Sequence, residues 1–171
     1  MNTHEAGVYD TPDDLLAEFF DDPADREGVK REAERLAAEE RGARLVELRE
    51  RASATREDVA RRMGVELARV INLESGAFSP PRVDLSRIDE LETSTSDELI
   101  PLAQFIFDLA AYIQAIGGDV RLEITQPGGR VWFLPAPTDR TNADLLYTIL
   151  KQKPESLKVV AEMDGFRTEV A

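Results

Sequence analysis

The chain has no cysteine and a single histidine, His4. Disulfides, thiolate metal sites and cysteine nucleophiles are thereby excluded, and the absence of cysteine fits a reducing cytosol. One histidine near the start cannot build a histidine metal cluster and is a poor basis for a Ser-His-Asp triad. No apolar run approaches the ~20 residues of a membrane-spanning helix. The acidic N-terminus lacks the basic and apolar stretches of a secretory signal, so a cytoplasmic location without membrane association is expected. No phosphate loop, activated nucleophile or metal-ligand spacing is found, so neither an enzyme nor a cofactor or metal is expected.

Positive charge is missing from residues 1–25, which hold eight acids and no Lys or Arg. Residues 26–87 hold 14 basic and 12 acidic residues, and residues 88–171 hold 7 and 14. The net charge of -13 therefore hides a mildly basic middle between two acidic flanks. Phosphate binding depends on local Lys and Arg, so the average does not exclude a polyanion as partner. With 171 residues, 42% of them hydrophobic, the chain can bury a core as one domain or a small domain with an appendage.

"TPDDLLAEFFDD" carries helix-start chemistry in Thr11, Pro12, Asp13 and Asp14. Leu15, Leu16, Phe19 and Phe20 follow at helical spacing, which makes a short acidic amphipathic helix. Asp22 and Pro23 start a longer charged helix to about Arg51, with Gly28 and Gly42 as points where it is expected to bend or break. Thr55, with Asp58 three residues on, caps a helix to Met63 that Gly64 ends. A third helix runs from about Glu66 to Ser75. "FSPPRVD" is loop, and a short helix is expected over Leu85–Leu91. The most apolar segment is a helix from about Asp97 to Ile116, ended by Gly117, and its apolar circumference makes it a central helix or a dimer interface. The period then changes to alternation. "DVRLEIT" and "RVWFLP" form one β-hairpin, "TNADLLYTILKQ" a helix, and "LKVVAEM" and "FRTEV" a second hairpin around Asp164-Gly165.

Residues 55–76 fit a helix-turn-helix position by position. Ala60 is small where two helices cross, Gly64 makes the turn, and Val59, Met63, Val70 and Leu73 face inward, with Leu45 and Leu48 closing the cluster. An ordinary αα-hairpin is the plainer alternative.

"LRERASATREDVARRMGVELARVINLESG" (Leu48–Gly76) resembles the XRE-type helix-turn-helix domain of phage repressors and HigA-like antitoxins. "YIQAIGGDVRLEI" (Tyr112–Ile124) resembles the helix-Gly-Gly-strand that ends many HigA-like antitoxins. The resemblance implies a structural ion pair between Arg49 and Glu74. It implies DNA contacts from Thr55 and Arg56 at the start of the second helix and from Leu67, Ala68, Arg69 and Asn72 on the third. Arg69 would pair with guanine, Asn72 with adenine, and Leu67 and Ala68 with a thymine methyl. Arg61 and Arg62 would touch phosphates or form a solvated helix face. The sequence departs from the family at Glu66, where Ser or Thr is usual, at Leu67, where Gln is usual, at apolar Ile71, and in a longer link from Gly76 to Tyr112.

The fold class expected is mainly α with a small β part (α+β): a five-helix-type helix-turn-helix domain, an N-terminal acidic helix and a C-terminal β-hairpin/helix/β-hairpin extension. The segments are an acidic arm over 1–22, the helix-turn-helix domain over 23–92, and a dimerisation or partner domain over 93–171. The first functional expectation is a DNA-binding regulator, an antitoxin-like autorepressor that reads a palindromic operator in double-stranded DNA as a homodimer through residues 97–135. Leu15, Leu16, Phe19 and Phe20 would then dock a basic partner such as a toxin, or fold onto the chain's own core. The alternative is an interaction module on a helix-turn-helix that no longer reads DNA.

Overall fold

The computed structural model describes residues 12–77, 95–126, 128–135 and 155–170. The helices expected over Leu85–Leu91 and in "TNADLLYTILKQ", the Thr11 cap and the "FSPPRVD" loop lie outside these residues. Among these residues are five helices and four strands, in order α1 (Pro12–Phe19), α2 (Pro23–Arg51), α3 (Arg56–Met63), α4 (Leu67–Glu74), α5 (Thr95–Ala115), β1 (Asp119–Gln126), β2 (Arg130–Pro135), β3 (Ser156–Met163) and β4 (Phe166–Glu169). The chain divides into two compact units, Met1–Ala37 and Ala38–Ala171.

The first unit holds α1 and the start of α2. The Ala24 N–H donates to Asp22 Oδ1 at 2.8 Å, so Asp22 supplies the cap its sequence position promises. The pairs Lys30–Glu27 at 3.2 Å and Arg35–Glu32 at 2.6 Å sit one turn apart on α2 and support a helix with few core contacts. The four apolar residues of the arm divide: Leu15 and Phe19 are exposed, while Leu16 and Phe20 are half-buried. Phe20 lines a shallow groove with Val29, Ala33 and Leu36 of α2.

In the second unit one core runs through the helix-turn-helix, α5 and the sheet. Leu45, Leu48, Val59, Ala60, Val70 and Leu73 are buried in it, with Met63 packed against its side. Gly42 does not break α2, which is continuous from Pro23 to Arg51. It is instead where α2 passes closest to the end of α4. A Cβ there would collide with the Glu74 carbonyl, 2.8 Å from its carbon and 3.0 Å from the Gly76 nitrogen. Only a glycine permits that approach.

α5 starts two residues earlier than its sequence pattern indicates and carries Pro101 inside it. Phe105, Ile106, Leu109, Ala110, Tyr112 and Ile113 are all buried. α3 packs on the helix, and so does β1. α5 is thus a central helix of the second unit over Phe105–Ile113, its apolar girth covered within the chain.

The two hairpins form as the alternation indicates, and then join. The sheet order is β2-β1-β3-β4, with every neighbouring pair antiparallel. Leu122 faces Val159 and Ile124 faces Leu157 in the central β1–β3 register. Leu122, Ile124, Val159 and Ala161 are buried. Between β3 and β4, Asp164 and Gly165 both take positive φ, 49° and 77°, which suits the right-handed twist of a two-residue hairpin. β4 is tied to α2, because Arg44 donates to the Glu169 carbonyl and Arg51 lies 4.0 Å from the Phe166 ring centre.

Candidate nucleic-acid interface

α3 begins at a complete capping box. The Asp58 N–H donates to Thr55 Oγ1 at 3.1 Å, and Asp58 Oδ2 accepts from the Thr55 N–H at 3.4 Å and its hydroxyl at 2.8 Å. The Thr55 hydroxyl, its N–H and Arg61 hold the Asp58 carboxyl below its ordinary pKa. Gly64 closes the helix in the left-handed region at φ 68°, with its N–H directed to the Ala60 and Arg61 carbonyls. This is the turn between α3 and α4. α4 starts from Glu66, whose side chain makes no capping bond.

Val70, Leu73 and Glu74 are buried on the inner face of α4. Glu66, Ala68, Ile71 and Asn72 are exposed on its outer face. Glu74 is the fixed point of the assembly, with 1% of its side chain exposed. Its Oε1 accepts from Arg49 Nε at 2.7 Å and from the Tyr112 hydroxyl at 2.6 Å. Its Oε2 accepts from Arg56 Nε at 2.6 Å and Arg49 Nη2 at 3.3 Å. Burial pushes the carboxyl pKa up, but the donors Arg49, Tyr112 and Arg56 outweigh it and hold the group below its usual value. Burial first, and then the Glu74 charge, push the Tyr112 hydroxyl far above its ordinary range. The Arg49–Glu74 pair implied by the family resemblance is thus present, and it recruits two further partners.

Those partners change the picture of the arginines. Arg56 reaches inward to Glu74, with 46% of its side chain still exposed. Arg62 Nη1 donates to the Ala115 carbonyl at 2.6 Å, at the end of α5. Arg69 Nη2 donates to Asp108 Oδ2 of α5. Arg61 remains on the surface, 75% exposed, with a 3.0 Å contact to Asp58. Leu67 is half-buried and packs against the core, while Ala68 and Asn72 face solvent. Of the DNA contacts expected from sequence, Arg61, Ala68 and Asn72 are presented outward, Thr55 caps α3, and the rest are wholly or partly engaged within the chain.

Asp108 is the residue the sequence reading missed. Its side chain is 10% exposed, and its second oxygen accepts from Gln104 at 3.1 Å. It is the only charged residue between Pro101 and Ala115. A lone carboxylate in so apolar a stretch signals a cation packed against it. Breaking a buried ion pair costs about 3–5 kcal/mol, and a bidentate base contact is worth about 1–3 kcal/mol. Arg69 is itself 32% exposed, which places this pair at the low end of the first range. A base must still offer at least as much as Asp108 to draw Arg69 away.

Residues 40–101 match the model of a family described as a helix-turn-helix domain. The matched stretch contains α3, the Gly64 turn, α4 and the Arg49–Glu74 pair, and it ends at the start of α5. Asp108 and Tyr112, which hold α4 from outside, lie beyond it. No curated protein and no solved structure matches the chain. Among the described residues, no helix is long and apolar enough to cross a membrane, and no group of His, Cys, Asp or Glu could hold a metal ion.

Proposed function

We propose that this protein is a DNA-binding transcriptional regulator. The observation that carries the reading is the outer face of α4. The helix is anchored inward by Val70, Leu73 and Glu74 and presents Ala68, Ile71 and Asn72 outward beyond a tight Gly64 turn. An α-helix so placed fits the major groove. Asn72 can pair with the N6 and N7 edge of adenine, and the methyl groups of Ala68 and Ile71 suit a thymine methyl. Arg61 supplies a phosphate contact.

The finer form of this reading is an antitoxin-like autorepressor that binds a palindrome as a dimer. Its support is the resemblance of Leu48–Gly76 and Tyr112–Ile124 to repressor and antitoxin segments. Among the described strands β2 stands at the end of the sheet, and its Val131, 46% exposed, offers a surface for pairing two copies. The acidic arm has its own role in this reading, the docking of a basic partner protein such as a toxin. Phe19 at 69% exposure and Leu15 at 41% are its apolar contacts, and Phe20 lines the groove on the α2 side.

A second reading, an interaction module that does not read sequence, is favoured by one observation. Glu66 stands exposed at the start of α4 while Arg56, Arg62 and Arg69 all donate within the chain. Selection of bound duplexes from a random DNA pool separates the two. A regulator enriches a defined motif, and Asn72→Ala removes its adenine preference at one position. An interaction module enriches none.

A further inference from the structure

Glu74 serves two guanidiniums, and it holds them differently. Arg49 gives Nε and Nη2 to the carboxylate and Nη1 to the Ala54 carbonyl, and 11% of its side chain is exposed. It is a filled, interior partner. Arg56 gives only Nε, at 2.6 Å to Oε2, and 46% of its side chain is exposed. Among the described residues Arg56 makes no other hydrogen bond or ion pair, so Nη1 and Nη2 are unengaged. The edge formed by those two nitrogens matches two oxygens of a phosphate. The charges point the same way. One carboxylate, kept ionised by its donors, meets two cations, which leaves one positive charge on the exposed member. Asp58, two residues along α3, is engaged by Thr55 and Arg61. The inward bond therefore orients Arg56 without consuming it.

We propose that Glu74 is a positioning residue for DNA: through Oε2 it fixes the Arg56 side chain so that the two terminal guanidinium nitrogens clamp a backbone phosphate. This rests on the DNA-binding reading above. Glu74 touches no DNA and acts through Arg56. A free arginine loses rotamer freedom when it meets a phosphate. Here the fold has already removed part of that freedom, which favours binding. The contact carries no sequence information and helps to set the register of α4 on the duplex.

The test is the affinity of the full chain for a selected duplex and for a scrambled duplex of equal length, between about 50 and 200 mM salt. Circular dichroism confirms that each variant is folded at the assay temperature. Arg56→Ala leaves Glu74 with Arg49 and Tyr112. It should weaken binding to both duplexes about tenfold, the low end for a charge-assisted contact, and lower the salt slope by about 1. Arg56→Lys keeps the charge but has one nitrogen in place of the fork, and should stay at least about threefold weaker than wild type. Glu74→Gln removes a negative charge, which by charge alone would tighten binding to a polyanion. Because it frees Arg56, it should instead weaken binding severalfold. In the Arg56→Ala background the same change should have no effect, which a merely structural role for Glu74 would not produce. Three results would overturn the inference and leave the DNA reading intact: an Arg56→Ala protein with unchanged affinity and slope, an Arg56→Lys protein that binds as wild type does, or a folded Glu74→Gln that binds more tightly or weakens both backgrounds equally. If Glu74→Gln does not fold, Arg56→Ala and Arg56→Lys decide. If no duplex binds at low salt, the DNA reading itself fails and the inference with it.

Discussion

Gly42→Ala isolates packing from helix propensity. Both Gly28 and Gly42 lie inside α2, and replacing an interior helical glycine by alanine is favourable by about 1 kcal/mol on propensity alone. At Gly28 nothing lies within 4 Å of the added methyl, so that gain should be realised in the segment it belongs to. At Gly42 the methyl meets backbone: the Glu74 carbonyl, with its carbon at 2.8 Å, and the Gly76 nitrogen at 3.0 Å. Backbone cannot rotate aside as a side chain can. α2 and α4 must separate, and the 2.7 Å Arg49–Glu74 bond between them must lengthen. Overpacking of this kind costs about 1–3 kcal/mol. The rigid neighbours place Gly42 at the top of that range, so the net loss is about 2 kcal/mol after the propensity gain. For a chain of this size that is roughly a 4–8 °C fall in Tm. Thermal and urea melts followed by circular dichroism measure it. Gly28→Ala should leave the midpoint unchanged or raise it. A Gly42→Ala protein as stable as wild type would refute the close crossing of α2 over α4.

Leu73→Ala should cost about 2–5 kcal/mol in urea unfolding, because it empties a site that is 2% exposed at the centre of the helix-turn-helix core. Glu74 carries a pH signature. Its folded pKa is depressed, so its stabilisation is present above the unfolded carboxyl value of about 4.3 and is lost as pH falls through the lower folded value. Glu74→Gln should destabilise at neutral pH and flatten the acid limb of the stability curve, as read from urea midpoints at several pH values. Tyr112→Phe removes one donor to that carboxylate and should cost about 1.5–3 kcal/mol without altering the fold by circular dichroism. Arg61→Ala should weaken binding to all DNA sequences about equally and lower the salt slope by about 1.

Features set by neighbours in the chain were legible in the sequence. Thr55 and Asp58, three residues apart, declare a capping box, Gly64 declares a turn, and Asp164-Gly165 declares a hairpin, because each needs only local backbone geometry. The inward face of Val59, Val70 and Leu73 follows from helical period alone. What was missed depends on contacts far apart in sequence. β1 pairs with β3 across a long connection, and no local signal fixes which strands of two hairpins will join. Gly42 looks like a weak point until the end of α4 is seen against it. Arg56, Arg62 and Arg69 read as solvent-facing because helical period says which side a residue lies on but not what packs there. α5 brings Asp108, Tyr112 and the Ala115 carbonyl to that side, and these satisfy Arg69, Glu74 and Arg62. The same packing decides between the two roles open to α5 in sequence, and makes it a central helix. An apolar circumference needs covering, and the helix-turn-helix core and the sheet cover it from within the chain.

The central claim is that α4 enters a DNA groove, and Glu66 tests it most directly. Its exposed carboxylate at the start of α4 makes no capping bond. In a groove complex it would lie beside a phosphate and repel it. The measurement is the affinity of wild type and Glu66→Ser for a selected duplex between about 50 and 200 mM salt. The account predicts binding that weakens with salt, and a Glu66→Ser protein that binds more tightly than wild type at every salt concentration. No detectable binding at low salt, or equal affinities for the two proteins, would contradict it.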